Sequence, residues 1–440
     1  MQEKVKVDAI VIGAGPAGLA AAYTMAKEGL EVIVVERGEY SGSKNVGGLL
    51  YGTALNKLIP NFYEKAPIER PVSKRTLSFL GEHEYFSINF GSETWSSPPF
   101  NNTYIVHRAQ FDKWFSTQVE QTGANLLEAT VVDDLIYETL NGEKKVVGVK
   151  IRGDEEFYSD VVILAEGANA LVTQKASKTL GLKTGNIKQE YAVGVKEIIS
   201  LSKEKIEDRF GLAENEGAAL DFFGSPFDRV VGGGFIYTGK ESIHVGFAAR
   251  AESLTHSKLN PNDILDKFKS NPRVKPYIAG GELLEYSAHL IPEGGFDAVC
   301  ELFGNGLMIV GDAAGFVNMS LYKEGTNHAM ESGRCAGETA IIAKKKGDFS
   351  RQTLAEYEKK LKAGTILKDL KKYRKVSQVL EGTPNLFSLY PKKVAQLMID
   401  YFTVCDESKS QIQKRAIRGF LKGLPKFEFV RDVIRAKALC

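Results

Sequence analysis

Residues 5–36 read VKVDAIVIGAGPAGLAAAYTMAKEGLEVIVVE, and this stretch decides the fold. An apolar run typical of a buried strand leads into Gly13-x-Gly15-x-x-Gly18 and then into a helical pattern. A second apolar run ends on Glu36. In such a unit the first glycine makes a tight turn, the second lets the backbone approach a pyrophosphate, and the third lets the helix pack close to the strand. The order of these parts predicts a dinucleotide site.

The residues at this turn are the predicted contacts to the nucleotide. The first helical turn offers unpaired N–H groups and about half a positive charge to the phosphates. Glu36 follows the second strand and is placed to accept hydrogen bonds from a ribose. The predicted contacts here are Gly13, Gly15, Pro16, Ala17, Gly18, Glu36 and Arg37.

Composition sets bounds on the class of protein. The 440 residues are 43% hydrophobic and 25% charged, which is typical of a globular chain with a large core. A net charge of +2 gives no reason to expect nucleic acid. The four cysteines form no CxxC pair and the six histidines show no metal-ligand spacing, so we expect reduced thiols and no metal in this chain.

No targeting or spanning segment is expected. The start MQEKVKVDAI lacks the apolar region of a signal peptide, and no run of 18 apolar residues occurs. These features predict a cytoplasmic protein that neither crosses a membrane nor is secreted by the usual route.

Two later segments separate FAD from NAD. They are DVVILAEGANALV from Asp160 and GLMIVGDAAGFVN, which contains Asp312. With the segment around Arg108, their order resembles the flavoproteins built like the aromatic hydroxylases and glutathione reductase. The resemblance implies FAD, an arginine at Arg108 beside it, and Asp312 bonded to its ribityl chain. The alternative, which the N-terminal motif disfavours, is that Arg108 forms a surface salt bridge and Asp312 caps a helix. Further predicted contacts are Ala165, Glu166, Gly167 and Gly311.

The predicted fold is α/β, a Rossmann-like FAD domain with an inserted, mostly antiparallel β domain and a C-terminal helical region. The β-rich runs YAVGVKEI, RVVGGGFIYT and SIHVGFAAR indicate the inserted domain. The expected bounds are 1–75, 100–188 and 289–345 for the FAD domain, 76–99 and 189–288 for the β domain, and 346–440 for the helical region.

Several segments are similar to one flavoprotein family over nearly the full length. GSKNVGGLLYG (42–52), GSPFDRVVGGGFIYT (224–238), AHLIPEGGFD (288–297) and LYKEGTNHAMESGRCAGE resemble FixC-type flavoproteins and electron-transfer-flavoprotein:quinone oxidoreductases. The quinone oxidoreductases carry a ferredoxin-like part with a 4Fe–4S cluster, and this chain has no such cysteine run. The resemblance is therefore to FixC, whose cluster resides on a separate small subunit.

That resemblance implies an electron-transfer function and a set of partners. The expected partners are two electron-transfer-flavoprotein subunits, a small ferredoxin-like iron–sulfur subunit and a quinone. In the family such assemblies can bifurcate electrons from NADH, sending one to ferredoxin and the other towards quinone. The chain is then expected at the inner face of the cell membrane.

The predicted flavin and quinone contacts follow from the same segments. The run beside the isoalloxazine is expected to include Lys44, Asn45, Val46, Gly47 and Gly48. Lys44 is a candidate for stabilising negative charge on the reduced flavin, although a solvated lysine explains it equally well. The helix that begins near Gly325, Thr326 and Asn327 would aim its N-terminus at the flavin pyrimidine. Its dipole would stabilise an anionic flavin hydroquinone by about 1 kcal/mol. Small residues along that helix fit close packing on the FAD sheet.

Gly232 and Gly233 are the predicted quinone contacts. The resemblance implies that backbone at this pair meets a quinone carbonyl, and glycines within a strand permit a flat ring to lie against the main chain. The alternative is a bulge in an antiparallel sheet. With Lys44 and Asn45, these glycines are the predicted catalytic positions.

The C-terminal tail is basic and carries an amphipathic segment. From Lys371 onward there are 15 Lys and Arg residues against 6 Asp and Glu. Within 385–404 one helical face is apolar, which permits binding at a lipid headgroup region. The alternative is packing on the FAD domain or on a partner subunit.

Three rival functions share the fold. A geranylgeranyl-reductase-type FAD enzyme shares the GDAAGFVN stretch. A flavin monooxygenase would use NAD(P)H and oxygen directly. The dissociation inhibitors of small GTPases bind prenylated protein without FAD, and the intact glycines with Glu36 and Asp312 argue against that function.

Overall fold

The computed structural model describes residues 5–43, 48–140, 142–153, 155–183, 191–227 and 229–439. In these ranges the strands are β1 Lys6–Ile12, β2 Val32–Val35, β3 Gly48–Tyr51, β4 Ile68–Leu80, β5 Tyr85–Gly91, β6 Thr103–Val106, β7 Asn125–Leu127, β8 Val132–Leu140, β9 Glu143–Ile151, β10 Glu156–Leu164, β11 Tyr191–Ser200, β12 Gly217–Gly224, β13 Gly232–Thr238, β14 Ser242–Arg250, β15 Glu282–Pro292, β16 Phe303–Gly304 and β17 Leu307–Ile309.

The helices alternate with the strands in the first half of the chain and dominate its C-terminal end. They are α1 Pro16–Lys27, α2 Thr53–Leu58, α3 Arg108–Glu120, α4 Leu171–Leu180, α5 Lys203–Phe210, α6 Ala251–Ser257, α7 Pro261–Ser270, α8 Lys275–Ile278, α9 Thr326–Lys346, α10 Arg351–Leu354, α11 Glu356–Ala363, α12 Ile366–Lys372, α13 Val376–Gly382, α14 Leu389–Phe402, α15 Lys409–Leu421 and α16 Lys426–Ala436.

The chain divides into two compact units, each assembled from distant segments. Unit 1 is Met1–Glu69, Asn102–Tyr191 and Leu290–Arg374, and unit 2 is Arg70–Asn101, Ala192–His289 and Lys375–Cys440. The helical region expected as a separate third part is shared between the units, with its first helices in unit 1 and the rest in unit 2.

Unit 1 is built on a parallel sheet with the strand order β17-β10-β1-β2-β7. Its central strand β1 is buried at Ala9–Ile12, as expected for a strand covered on both faces. Antiparallel β9 and β8 extend the sheet from β10. Residues from three separate parts of the sequence therefore form one sheet, which confirms the predicted α/β class.

Helices α1 and α9 pack against each other in unit 1 through small residues. A Cβ atom at Gly333 would lie 2.0 Å from the Ala17 carbonyl oxygen, and one at Gly337 would lie 2.9 Å from the Ala21 carbonyl oxygen. Glycine at these positions lets the helix backbones touch. The small residues of α9 thus face another helix, whereas the sequence suggested packing on the sheet.

Unit 2 contains the expected β-rich domain. Its strands follow the order β15-β11-β14-β13-β12-β4, with β5 on β4. The pairs β11–β14, β13–β14, β12–β13 and β4–β5 are antiparallel, and β12–β4 is parallel. Phe222, Phe227, Phe247 and Phe268 fill the core between this sheet and its helices.

Candidate functional site

The turn after β1 has the geometry that a phosphate-binding loop requires. Gly13 has a φ of +103°, and a Cβ atom there would lie 2.4 Å from the Ala165 carbonyl oxygen. At Gly18 a Cβ atom would lie 1.9 Å from the carbonyl oxygen of Gly13. Only glycine fits either position, because a side chain would meet backbone that belongs to the sheet or to the turn itself.

Gly15 differs from both neighbours because its missing side chain would point into open space. No heavy atom lies within 4 Å of a Cβ atom built there. Gly15 precedes α1, whose first intrahelical bond runs from the Leu19 N–H to the Gly15 carbonyl. The N–H groups of Ala17 and Gly18 therefore precede the first bonded turn. Open space beside unpaired donors at a helix N-terminus fits a pyrophosphate.

Glu36 closes the same turn with its carboxylate. Oε2 accepts a hydrogen bond of 2.8 Å from the Ala14 N–H, and Oε1 accepts one of 2.6 Å from the Gly38 N–H. A carboxylate has about four acceptor positions, so two remain for other donors. The geometry fits the predicted ribose contact. Arg37, the next residue, is exposed.

Arg108 lies at the start of α3 and is paired within its own helix. Its guanidinium donates to both carboxylate oxygens of Asp112, at 2.8 and 2.7 Å. The Asp112 side chain is fully buried, and burial raises its pKa despite the opposing charge of Arg108. The Arg108 pKa is also raised: burial lowers it, but Asp112 outweighs burial, and Asp312 adds to the rise. The salt bridge foreseen for Arg108 exists, with a buried partner.

The carboxylate of Asp312 accepts no hydrogen bond from the described residues. Among the described residues no side chain or backbone N–H donates to it, although Arg108 is near enough to lower its pKa. Burial is the larger effect, and the Asp312 pKa is raised. Its backbone begins the short turn Gly311–Ala314, where the Gly315 N–H bonds to the Asp312 carbonyl. An unpaired, largely desolvated carboxylate fits a ligand that brings hydroxyl donors, such as the ribityl chain of FAD.

The segment 165–167 contributes backbone to the turn, whereas its acidic side chain has another role. Glu166 accepts from the N–H groups of Val172 and Thr173, at 2.8 and 2.7 Å, and from the Thr173 hydroxyl at 2.6 Å. It therefore caps α4. Any contact of this segment with a cofactor involves its backbone, with Gly167 at a φ of +72°.

The start of α9 is held in place by Asn327. Its Oδ1 accepts from the Ala54 N–H at 2.8 Å and from the Thr53 hydroxyl at 3.0 Å, and its Nδ2 donates to Glu324 at 2.6 Å. The side chain of Asn327 is thus committed to joining α2 to α9. The Ala329 N–H makes the first intrahelical bond, to the Gly325 carbonyl, so the N–H groups of Thr326 and Asn327 lie before it.

The structure bears on two further predictions for unit 1, the run Lys44–Gly48 and the role of Cys335. Lys44, Asn45, Val46 and Gly47 lie outside the described residues, and Gly48 begins β3, where it pairs with Val106. Cys335 in α9 is buried, and burial raises the pKa of its thiol to about 11, which suits packing better than redox chemistry.

Gly232 and Gly233 begin β13 of unit 2 in regular antiparallel register. Gly232 pairs with Ala249 and Gly233 with Ala248, without the bulge considered as an alternative. A Cβ atom at Gly232 would lie 2.3 Å from the Ala248 carbonyl oxygen, and one at Gly233 would lie 2.7 Å from the Phe222 carbonyl oxygen. Packing between strands therefore requires glycine at both positions. Gly232 is exposed, so its backbone remains accessible to a ligand.

The last helices of unit 2 expose large apolar side chains. Helix α16 is attached through its polar residue Asp432, which is buried and accepts a 2.8 Å hydrogen bond from the Tyr390 hydroxyl of α14. Phe427 is 94% exposed and Ile434 is 68% exposed. On α14, Phe402 is 68% exposed. The predicted apolar face is only partly free, because Val394 and Leu397 are half-buried.

Sequence reasoning missed three partners that shape the site. Asp112 stands four residues after Arg108, a spacing that indicates an ion pair on a helix. The cap formed by Glu166 reaches residues six and seven positions later, a spacing outside the usual capping patterns. The link formed by Asn327 joins elements distant in sequence, so no local pattern indicates it. No described helix combines the length and apolar character needed to cross a bilayer.

Three family models match the chain, two of them over overlapping ranges. The pyridine nucleotide-disulphide oxidoreductase model matches residues 7–238. The model described as ETF-QO, ubiquinone-binding, matches residues 191–291, and the ETF-QO/FixC family C-terminal domain matches residues 376–438. ETF-QO denotes the electron-transfer-flavoprotein:quinone oxidoreductases.

Curated relatives match over nearly the whole chain. A probable electron transfer flavoprotein-quinone oxidoreductase, YdiS of Escherichia coli K12, is 41% identical over 432 residues, with 98% of each chain covered. Protein FixC of Azorhizobium caulinodans is 40% identical over 434 residues, again with 98% of each chain covered.

Solved structures agree on the fold. A geranylgeranyl bacteriochlorophyll reductase-like protein from Thermoplasma acidophilum superposes with a TM-score of 0.73 at 21% identity, with both chains fully covered. The flavin-dependent brominase Bmp2 superposes with a TM-score of 0.63 at 16% identity, covering 95% of this chain and 100% of its own. At these identities the likeness concerns the fold alone.

Proposed function

The chain belongs to the ETF-QO/FixC family and is an FAD-dependent oxidoreductase of that type, and from this premise we propose that it passes electrons from electron-transfer-flavoprotein subunits to a quinone. The observation that carries the proposal is the combination in one chain of the glycine turn of unit 1 with residues 191–291, which match a ubiquinone-binding family model. The same match favours quinone reduction over prenyl reduction, which is supported by the shared GDAAGFVN stretch and a likeness of fold, without a match to a family model.

FAD, when bound, supplies the redox chemistry, and the protein sets its position and its electrostatic surroundings. The backbone at Gly13 and Gly15 and the first N–H groups of α1 would hold the pyrophosphate. Glu36 would bind a ribose and Asp312 the ribityl chain. The first N–H groups of α9, at Thr326 and Asn327, would favour negative charge on the flavin pyrimidine. Lys44 to Gly48 and Gly311 are further proposed contacts.

The quinone contact proposed at Gly232 and Gly233 requires a test that leaves the glycines intact. Any side chain at these positions would collide with a neighbouring strand, so loss of activity in a variant would not distinguish packing from binding. A photoreactive quinone avoids this difficulty. We expect it to label the peptide that contains residues 224–238, and excess unlabelled quinone should prevent the labelling. Labelling confined to unit 1 would place the quinone elsewhere.

The proposed partners are two electron-transfer-flavoprotein subunits and a small ferredoxin-like iron–sulfur subunit, in an assembly that bifurcates electrons from NADH. The three free cysteines of the described residues are Cys300, Cys335 and Cys405; Cys335 lies on α9, and the other two lie in separate loops. A relay of single electrons would therefore come from a partner.

Reconstitution tests the proposed assembly. The FAD-loaded chain alone should not oxidise NADH, whereas addition of the flavoprotein subunits should start NADH oxidation. Ferredoxin reduction should then require quinone as the second acceptor. If the chain alone oxidises NADH under oxygen, the result supports the monooxygenase function and contradicts the proposal. If ferredoxin is not reduced in the full assembly, electron transfer stands without bifurcation.

We also propose that α14 and α16 rest on an anionic membrane surface at the inner face of the cell membrane. Helix α16 buries Asp432 and leaves Phe427, Val430 and Ile434 exposed, the reverse of a helix that packs on its own protein. The tail from Lys371 onward has 15 cationic and 6 anionic side chains. Apolar side chains rimmed by lysine and arginine suit the lipid headgroup region, where each cation adds about 1 kcal/mol.

Liposome sedimentation tests this surface. Replacing Phe427 and Ile434 by Asp should release the chain from anionic liposomes while FAD stays bound. Leu171→Asp is the matched control, because Leu171 is 62% exposed and lies on α4 of unit 1. Binding should also weaken at high salt, since charge interactions are screened within about 10 Å at 0.1 M salt. If the unaltered chain does not bind these liposomes at low salt, the membrane proposal fails and the exposed helices belong to a subunit interface.

A further inference from the structure

Three side chains capable of binding a metal converge in unit 1. Glu324 precedes α9, His328 lies in its first turn, and Asp369 belongs to α12. One ligand atom from each residue lies within 4.8 Å of the other two. The three side chains come from two separate elements and meet only in the folded chain.

His328 is the member of the group that most needs a partner. Its side chain is 1% exposed, and neither ring nitrogen has a hydrogen-bond partner among the described residues. A buried polar group without a partner costs about 1–3 kcal/mol. Its Nε2 lies 3.4 Å from Oε2 of Glu324. A carboxylate has no proton to donate to an unprotonated imidazole nitrogen, but both atoms can bind the same cation.

We propose that Glu324, His328 and Asp369 bind a divalent transition-metal ion, with Zn²⁺ as the best match. One imidazole and two carboxylates are ligands that Zn²⁺ accepts, with bonds of about 2.0–2.2 Å. Tetrahedral geometry with such bonds places neighbouring ligand atoms about 3.3 Å apart. The separation of 3.4 Å between His328 and Glu324 already fits, and Asp369 needs only a small movement to join them. Two carboxylates give the group a charge of −2, which a divalent ion neutralises.

Hydrogen bonds from neighbouring residues orient the Glu324 carboxylate as a metal ligand would require. Its Oε1 accepts a hydrogen bond of 2.6 Å from Asn327 Nδ2, which leaves Oε2 directed at His328. Its backbone pairs in both directions with Asn318, at 2.8 and 3.0 Å. Hydrogen bonds that orient a carboxylate ligand are characteristic of metal sites, and losing them costs about 10–100-fold in affinity.

Zinc titration of the full-length, tag-free chain, purified with its flavin and dialysed against chelator, tests the proposal. Calorimetry with ZnCl₂ should show one ion bound per chain. Asp369→Asn and Glu324→Gln should each weaken binding at least about tenfold. Glu358→Gln is the matched control, because Glu358 is a half-exposed carboxylate of neighbouring α11 that pairs with Lys362 outside the group. The control should bind zinc as the unaltered chain does.

Two results would overturn the site. The first is an unaltered chain that binds no zinc at millimolar concentration. The second is unchanged affinity in both carboxylate variants, which would place the zinc elsewhere. His328→Gln should abolish binding, and if this buried substitution prevents folding, the two carboxylate variants still decide the outcome.

Discussion

Individual glycines of the β1–α1 turn serve different purposes. Gly13 and Gly18 face backbone at 2.4 and 1.9 Å, so their lack of a side chain is a requirement of folding. Gly15 faces open space, so its lack of a side chain is a requirement of the ligand. The structure thus separates two reasons for glycine that one sequence motif combines.

Substitutions at these glycines should therefore have different consequences. Gly15→Val should give a folded chain without FAD, because the side chain occupies the space for the pyrophosphate. Gly18→Ala should instead lower the melting temperature of the flavin-free chain, because its Cβ atom meets the Gly13 carbonyl. Flavin absorbance and thermal unfolding, measured on both variants, check this pair. Full FAD content in Gly15→Val would show that the phosphate lies elsewhere.

Asp312 should oppose stability in the absence of its ligand. Burial raises its pKa, so the folded chain favours the protonated form. The resulting stability is fully present below the unfolded pKa and is lost as the pH rises through the folded pKa, so Asp312 opposes stability at higher pH. Asp312→Asn should therefore stabilise the flavin-free chain at pH 7, and this gain should vanish in acid.

Asp312→Asn should also weaken the binding of FAD. Loss of one charged hydrogen-bond partner costs about 1–3 kcal/mol, which is less than the loss expected for Gly15→Val. Urea unfolding at two pH values and FAD titration measure the two effects. A variant that is less stable at pH 7 than the unaltered chain would contradict the account of Asp312, and so would a greater loss of FAD than at Gly15.

At the scale of elements, α1 and α9, whose N-termini are both proposed to face FAD, pack closely against each other. Close contact depends on Gly333, where a Cβ atom would lie 2.0 Å from the Ala17 carbonyl oxygen. Gly333→Ala should cost about 1–3 kcal/mol by forcing the helices apart. Gly419→Ala is the control, since its Cβ atom on α15 would meet only Asp400, at 3.5 Å. The higher helix propensity of alanine should raise the free energy of unfolding of this control by up to about 1 kcal/mol. Thermal unfolding that ranks the two variants in the opposite order would refute this packing.

The elements that repeat a known sequence pattern were the predictable ones. The order of β1, α1 and β2 follows from apolar runs and glycine spacing, and the parallel sheet follows from their alternation with helices. The contact between α1 and α9 joins distant segments, so the sequence indicated only that α9 has small residues. The approach of Asp369 to His328 was also beyond prediction, because metal-ligand spacing is recognisable only within one segment.

At the scale of the whole molecule, the two units divide the proposed function. Unit 1 carries the proposed FAD site, and unit 2 carries most of the segment matched by the ubiquinone-binding model and the exposed C-terminal helices. Each unit gathers segments from several parts of the chain, so neither corresponds to one continuous stretch that could be excised for study. Experiments on function therefore require the full chain.

Anaerobic mixing of the photoreduced, FAD-loaded chain with a soluble ubiquinone analogue tests the central claim most directly. We predict that the flavin absorbance returns at a rate that rises with quinone concentration, and that the quinone is recovered as quinol. A geranylgeranylated substrate, mixed in the same way, should leave the flavin reduced. A flavin that stays reduced with quinone, or that is reoxidised only by the prenyl substrate, would contradict the account.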